Sequence, residues 1–157
     1  MLLFQFLLLS GFNHKHYITE LEIITMRLYP AIDIKDGQCV RLKKGLFNEV
    51  TVYSDKPYEI AKAFEESGAQ FIHTVDLDGA LKGHGVNADT IKKIVSSVNI
   101  PVQMGGGIRT LENIKEVLAL GVYRVIIGTK AVENPNFIRQ AIEQFGPEHI
   151  VVGVDAK

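Results

Sequence analysis

The chain is poor in the features that would place it in several classes at once. Its 157 residues hold one cysteine, Cys39, so neither an intrachain disulfide framework nor a Cys-rich zinc site can be built. A single thiol fits a reducing compartment. There is no excess of either charge: 17 Lys and Arg stand against 18 Asp and Glu. The basic surplus usual in nucleic-acid binders is missing, and no nucleic-acid partner is expected. The apolar opening MLLFQFLLLS has no Lys or Arg ahead of its Leu run, unlike a secretory signal. It is also well short of the roughly 20 residues of a membrane helix. No membrane partner is expected, and a cytoplasmic location is. None of the five histidines (His14, His16, His73, His84, His149) falls in an HExxH or Cys/His spacing, so no metal is implied.

What is present describes a globular domain, 46% hydrophobic and 22% charged. Residues 1–25 lack clear periodicity and read as an extension of uncertain structure, with the domain starting at Met26. From there short apolar runs alternate with amphipathic segments. Leu28–Ile34, Gln70–Asp76, Ile100–Met104, Tyr123–Gly128 and His149–Asp155 are near-continuous apolar runs, as in parallel strands covered by helices. Between them, Pro57 opens a helix that Gly68 stops. Asn87 and Thr110 are placed to cap two more, and Asn134-Pro135 opens a fourth that Gly146 ends. His73 and His149 fall in strand segments, where packed histidines are commoner than ligands. The order is β-α-β-α-β-α-β-α-β, an α/β parallel sheet with right-handed crossovers. It is either open and doubly wound or part of a (βα)8 barrel.

Candidate chemistry gathers at the strand ends, where such sheets keep their sites. Asp33 ends the first strand and Asp155 the fifth. In a closed barrel they would face each other and could act as base and acid; each could equally cap a turn. Gly105-Gly106-Gly107 with Arg109 follows the third strand. Glycines admit an anion close to backbone N–H groups, which favours a phosphate site over a plain βα turn. A side chain at Gly106 should then cost phosphate binding more than stability. The dinucleotide fingerprint fails, because Thr110 stands where its last glycine belongs. Gly128-Thr129 repeats the pattern one strand later, and since adjacent parallel strands bring both turns to one end of the sheet, the two together suggest a single phosphate pocket. In Val75-Asp-Leu-Asp-Gly-Ala80, Asp76 is the expected active-site carboxylate and Asp78 the expected turn residue. The loop Lys82-Gly83-His84-Gly85 reads as a lid or as solvated chain.

These stretches together resemble the histidine-pathway isomerases that act on phosphoribosyl-formimino-aminoimidazole-carboxamide ribotide. The resemblance rests on Tyr29-Pro-Ala-Ile-Asp-Ile-Lys-Asp-Gly37, Cys39-Val-Arg-Leu42, Val75-Asp-Leu-Asp-Gly-Ala80, Gln103-Met-Gly-Gly-Gly-Ile-Arg109 and Ile127-Gly-Thr129, and it runs from Met26 to Lys157. It implies a (βα)8 barrel, truncated here to about five strands and four helices. It further implies a cofactor-free Amadori rearrangement of an aminoaldose to an aminoketose. Asp33 would be the base and Asp155 the acid. Gly105, Gly106, Gly107, Gly128 and Thr129 would form one of two phosphate sites; Asp76 and Arg109, from their places at the strand ends, are expected to join them in binding the phosphorylated ribotide. The sister cyclase of the pathway shares the aspartates and the glycine turns, but its first strand differs. A non-catalytic, phosphate-binding half-barrel is the remaining alternative. Residues 26–157 alone are expected to be inactive. Their first and fifth strands would have open edges, inviting self-association.

Overall fold

The computed structural model describes residues 28–43 and 46–154. The extension assigned to residues 1–25 lies outside them, and so does Asp155.

Seven strands form one sheet in the order β3-β2-β1-β4-β5-β6-β7. Five of them, β1 (Ala31–Lys35), β4 (Ile72–Asp76), β5 (Val102–Gly105), β6 (Arg124–Ile127) and β7 (Ile150–Val152), run parallel to their neighbours among these. They correspond to the five apolar runs of the sequence. Each is shorter than its run, because the flanking residues serve the turns. His149 ends a 3-10 turn, Pro147–His149, rather than lying in a strand. The parallel strands follow chain order with no reversal. Right-handed crossovers therefore put every connecting helix on the same side, which is single winding. A doubly wound sheet would reverse its order at a switch point.

The antiparallel hairpin of β2 (Gln38–Lys43) and β3 (Leu46–Ser54) was not expected. Its signal is the pair Asp36-Gly37 between alternating residues. Both take positive φ, 50° and 77°, the conformation of a type I′ two-residue turn. The hairpin corrects the expectation of an open edge at the first strand: β2 pairs with β1, and β3 becomes the edge.

Helices α1 (Pro57–Glu66), α3 (Ala88–Ser97), α4 (Leu111–Ala119) and α6 (Pro135–Phe145) are the four the sequence announced. Two short ones, α2 (Leu77–Lys82) and α5 (Thr129–Glu133), directly follow β4 and β6 and raise the count beyond four. Pro57 and Pro135 stand in first turns, and Thr110 Oγ1 accepts the Asn113 N–H at 3.1 Å. Asn87 and Asn134 start their helices without a side-chain cap bond.

The core lies between sheet and helices. Ile32, Ile34, Ile72, Met104, Val125 and Ile127 from the strands meet Ala61, Ile91, Ile94, Ile114, Val117, Phe137 and Ala141 from the helices. Side chains alternate along a strand. Ala31, Asp33, His73, Val75, Gln103, Gly105, Arg124 and Ile126 therefore occupy the face turned away from the helices. Register aligns them in two rows: Ala31, His73, Gln103 and Arg124, then Asp33, Val75, Gly105 and Ile126 nearer the C-terminal edge.

Candidate active site

At the C-terminal edge of the sheet a cavity of about 440 Å³ is lined by Gly106, Gly107 and Arg109 after β5, and by Gly128, Thr129 and Lys130 after β6. Val75, Ala80, Ile108, Ile126 and Glu133 complete it. The two glycine turns that the sequence read as one phosphate pocket thus share one cavity. Its charged groups are two cations and one anion. Lys130 lies 3.5 Å from Glu133, and Arg109 donates to the Ala80 carbonyl at 3.2 Å. The Lys130 ammonium and the Glu133 carboxylate are charged parts of the lining that sequence reasoning did not single out, although Lys130 sits directly after Gly128-Thr129.

The glycines divide by role. Gly106 and Gly107 take φ of 103° and 76°. A Cβ on Gly106 would lie 2.2 Å from the Asp76 carbonyl oxygen, and one on Gly107 would lie 2.5 Å from that of Gly79. Close packing of the β5–α4 turn on the β4–α2 turn demands both. This overturns the expectation that a side chain at Gly106 would cost binding more than stability. Gly128 is different: a Cβ there would meet nothing within 4 Å, because it would stand in the cavity mouth. Gly105 lies within β5 beside Ile126 and does not line the cavity.

Asp76 requires a correction. It is 0% exposed and its oxygens are fully engaged. One accepts the Gly79 N–H at 2.8 Å and the Asn87 amide at 2.7 Å, the other the Val86 N–H at 2.8 Å and the Asn87 N–H at 3.2 Å. A carboxylate so occupied caps α2 and closes the 83–87 loop, and Asp76 is not among the residues that line the cavity. Asp78, read as the turn residue, also holds structure: it accepts the Asp36 N–H at 2.6 Å and the Asn87 amide at 2.9 Å. Burial alone would raise its pKa. The bonds from Asn87 and Asp36 and the charges of Lys35 and Lys82 outweigh burial and hold it below the ordinary carboxylate value. Asn87 thereby ties three turns together, since its Oδ1 also accepts the Gly37 N–H at 2.9 Å. His84 remains exposed, while the loop around it is anchored at Asp76 and by Gly83 packing on Arg109.

Asp33 is half-buried on the helix-free face and paired in register with Val75, which lines the cavity. Adjacent strands stand about 4.8 Å apart, so its carboxylate belongs one strand from the cavity wall. A second hollow, about 420 Å³, opens at Asp33 against Cys39, Val40, Arg41 and Tyr53. Burial, then the Asp33 charge, pushes the Cys39 thiol up and disfavours the reactive thiolate. Among the described residues no group of three or more His, Cys, Asp or Glu could hold a metal ion.

Singly wound parallel strands, external helices and a cavity with glycine turns at the strand C-termini define a protein of (βα)8-barrel type with a site suited to a small anionic ligand. Residues 27–157 match the family model described as "Histidine biosynthesis protein", and the chain belongs to that family. A protein of Lachnoclostridium phytofermentans is 61% identical over 132 residues, 84% of this chain and 55% of the relative. Those of Syntrophomonas wolfei and Acetivibrio thermocellus are 53% and 52% identical over the same length, covering 54% and 55% of themselves. All three are named 1-(5-phosphoribosyl)-5-((5-phosphoribosylamino)methylideneamino) imidazole-4-carboxamide isomerase. The chain spans about half the length of these relatives.

Proposed function

We propose that the chain carries the first five strands of an isomerase that converts a doubly phosphorylated aminoaldose ribotide to the aminoketose, without a cofactor. The observation that supports it best is the convergence of both glycine turns on one cavity at the strand C-termini, one strand from Asp33. In this reading a substrate phosphate is held by the amides and side chains of Gly106, Gly107, Gly128 and Thr129, with Arg109 and Lys130 balancing its charge. Gly105 contributes by leaving the helix-free face clear beside Ile126. Asp33 takes the proton from the sugar carbon next to the anomeric one. Asp155, outside the described residues, donates a proton to the ring oxygen as the C–O bond opens. The enaminol formed becomes the aminoketose as the former anomeric carbon takes up a proton and the neighbouring hydroxyl gives one up to leave the carbonyl.

Residues 26–157 are taken as one incomplete barrel, with 1–25 an extension. Rearrangement needs both carboxylates held to within about half an ångström, so the chain alone is proposed to be inactive. Self-association is proposed through β7, which pairs only with β6 among the described residues. A cytoplasmic site of action without nucleic-acid or membrane partners belongs to the same reading; no described helix is long and apolar enough to cross a membrane.

The test is calorimetric titration of ribose 5-phosphate into the chain, together with a turnover assay on the ribotide. Binding that is lost in Gly128→Val, with no turnover, is expected. Phosphate affinity equal in wild type and Gly128→Val would remove the cavity from the reading. Turnover by the chain alone would remove the claim of inactivity.

A further inference from the structure

The helix-free face carries a polar chain that the ribotide reading does not use. His73, Gln103 and Arg124 occupy one row on three neighbouring strands, β4, β5 and β6. Arg124 Nε donates to Gln103 Oε1 at 2.7 Å. The other end of the same amide, Nε2, lies 2.9 Å from His73 Nδ1. The guanidinium is itself held in place, its carbon 4.5 Å from the centre of the Phe71 ring and 5.6 Å from that of Tyr29. Gln103 is buried, and its backbone carbonyl accepts the Thr74 hydroxyl at 3.0 Å.

Donor and acceptor chemistry fixes the rest. A guanidinium has only donors, so the amide atom facing Arg124 must be the oxygen. The atom left for His73 is then the NH2, which donates, and the ring nitrogen that receives it must be unprotonated. A neutral imidazole with Nδ1 as acceptor carries its proton on Nε2. We propose that Gln103 and Arg124 are positioning residues that hold His73 as the neutral Nε2–H tautomer on the face that carries Asp33.

Three elements bear on the ring. β1 brings the Asp33 carboxylate, diagonal to His73 on the same face, which favours the imidazolium. β5 brings the uncharged Gln103, whose NH2 would confront a protonated Nδ1 with a second donor. β6 brings the Arg124 cation beyond it. Burial is the larger influence and holds the imidazole below its ordinary value, so geometry and solvation agree on the neutral ring. The consequence concerns Asp33. An imidazolium on that face would offer the carboxylate an ion-pair partner and tie it up; a neutral ring offers at most one hydrogen-bond donor. The polar chain thus leaves Asp33 free for proton transfer. The tautomer is set whatever the ligand; only its consequence for Asp33 rests on the proposed reaction.

Nitrogen-15 NMR of the uniformly labelled 157-residue chain tests it, with the His73 ring assigned through His73→Gln. The wild-type ring is expected as Nε2–H at pH 7.5. An Nδ1–H ring, or an imidazolium at that pH, would overturn the proposal with no other variant needed. Gln103→Glu replaces the NH2 donor by an acceptor. The proton should move to Nδ1 and the titration midpoint should rise by roughly one unit or more, the scale of a nearby carboxylate. Unchanged tautomer and midpoint in Gln103→Glu would remove Gln103 from the role. Arg124→Met frees the amide to turn and should give a mixture of tautomers; a ring still wholly Nε2–H there would remove Arg124.

Discussion

Gly106 and Gly128 look alike in the sequence, each following an apolar strand, yet they answer to different forces. Gly106 is fixed by backbone contact with Asp76 and a φ of 103°, Gly128 by the open space in front of it. Gly106→Ala should therefore destabilise by about 2–4 kcal/mol, combining positive-φ strain with a backbone clash. Gly128→Ala should shift stability by less than about 1 kcal/mol and act on anion binding instead. Thermal melts with and without ribose 5-phosphate separate the two. Asp33→Asn, in a version that continues through the remaining strands, should lower kcat by about 10²–10⁴, the usual scale for a positioned base. A kcat like wild type would remove Asp33 from the mechanism.

At the scale of elements, the turns after β1 and β4 and the loop between α2 and α3 behave as one unit because Asn87 and two buried carboxylates join them. Asn87 donates to Asp76 and Asp78 and accepts from Gly37, so Asn87→Ala takes one donor from each of two buried carboxylates and leaves the Gly37 N–H without its acceptor. A loss of roughly 2–4 kcal/mol is expected, each unmatched buried group costing about 1–3 kcal/mol. Chemical denaturation would measure it. The same unit sets part of the acid stability. The folded pKa of Asp78 lies below its ordinary 3.8, so its contribution is present above 3.8 and is lost as pH falls through the lower, folded value. His73 also loses stability on acidification, but earlier. Burial depresses its folded pKa below 6.5, so the unfolded chain takes up the proton first as pH drops through 6.5. Melting temperature against pH should fall in two stages. His73→Gln should remove the upper stage and Asn87→Ala should weaken the lower one; a single stage unaffected by His73→Gln would contradict the assignment.

At the scale of the whole molecule, the two edges of the sheet formed by the described residues are unequal. The β3 edge belongs to a hairpin and carries a Lys43–Glu49 ion pair at 3.2 Å. The β7 edge is short and apolar, with Val152 45% and the following Val154 82% exposed. Unpaired apolar strands recruit other chains, and lysine on an edge opposes this. If the proposed self-association runs through β7, Val152→Lys should weaken it by roughly tenfold, about 1.4 kcal/mol. Sedimentation velocity over a concentration series reads this directly. An unchanged dissociation constant would move the contact to another surface.

Periodicity and punctuation in the sequence were enough for five strands, four main helices and their order. Those features are local: an apolar run wants cover, Pro57 and Pro135 preset a first turn, and Gly146 ends a helix at φ 91°. The pairing of the two glycine turns was also legible, because parallel strands bring their C-terminal ends to one edge. The hairpin could have been read from Asp36-Gly37 but was hidden by the stronger βα rhythm around it. Only the tertiary structure could separate Asp76 from Asp33. Both end apolar strands, and nothing local says that four donors from the 79–87 segment close over one of them while the other stays half-exposed. The same holds for His73, whose proposed tautomer follows from an amide on β5 and a guanidinium on β6 while burial favours the neutral ring. A side chain's chemistry is fixed by its residue type, whereas its charge state and its freedom to act depend on neighbours that the chain brings from a distance.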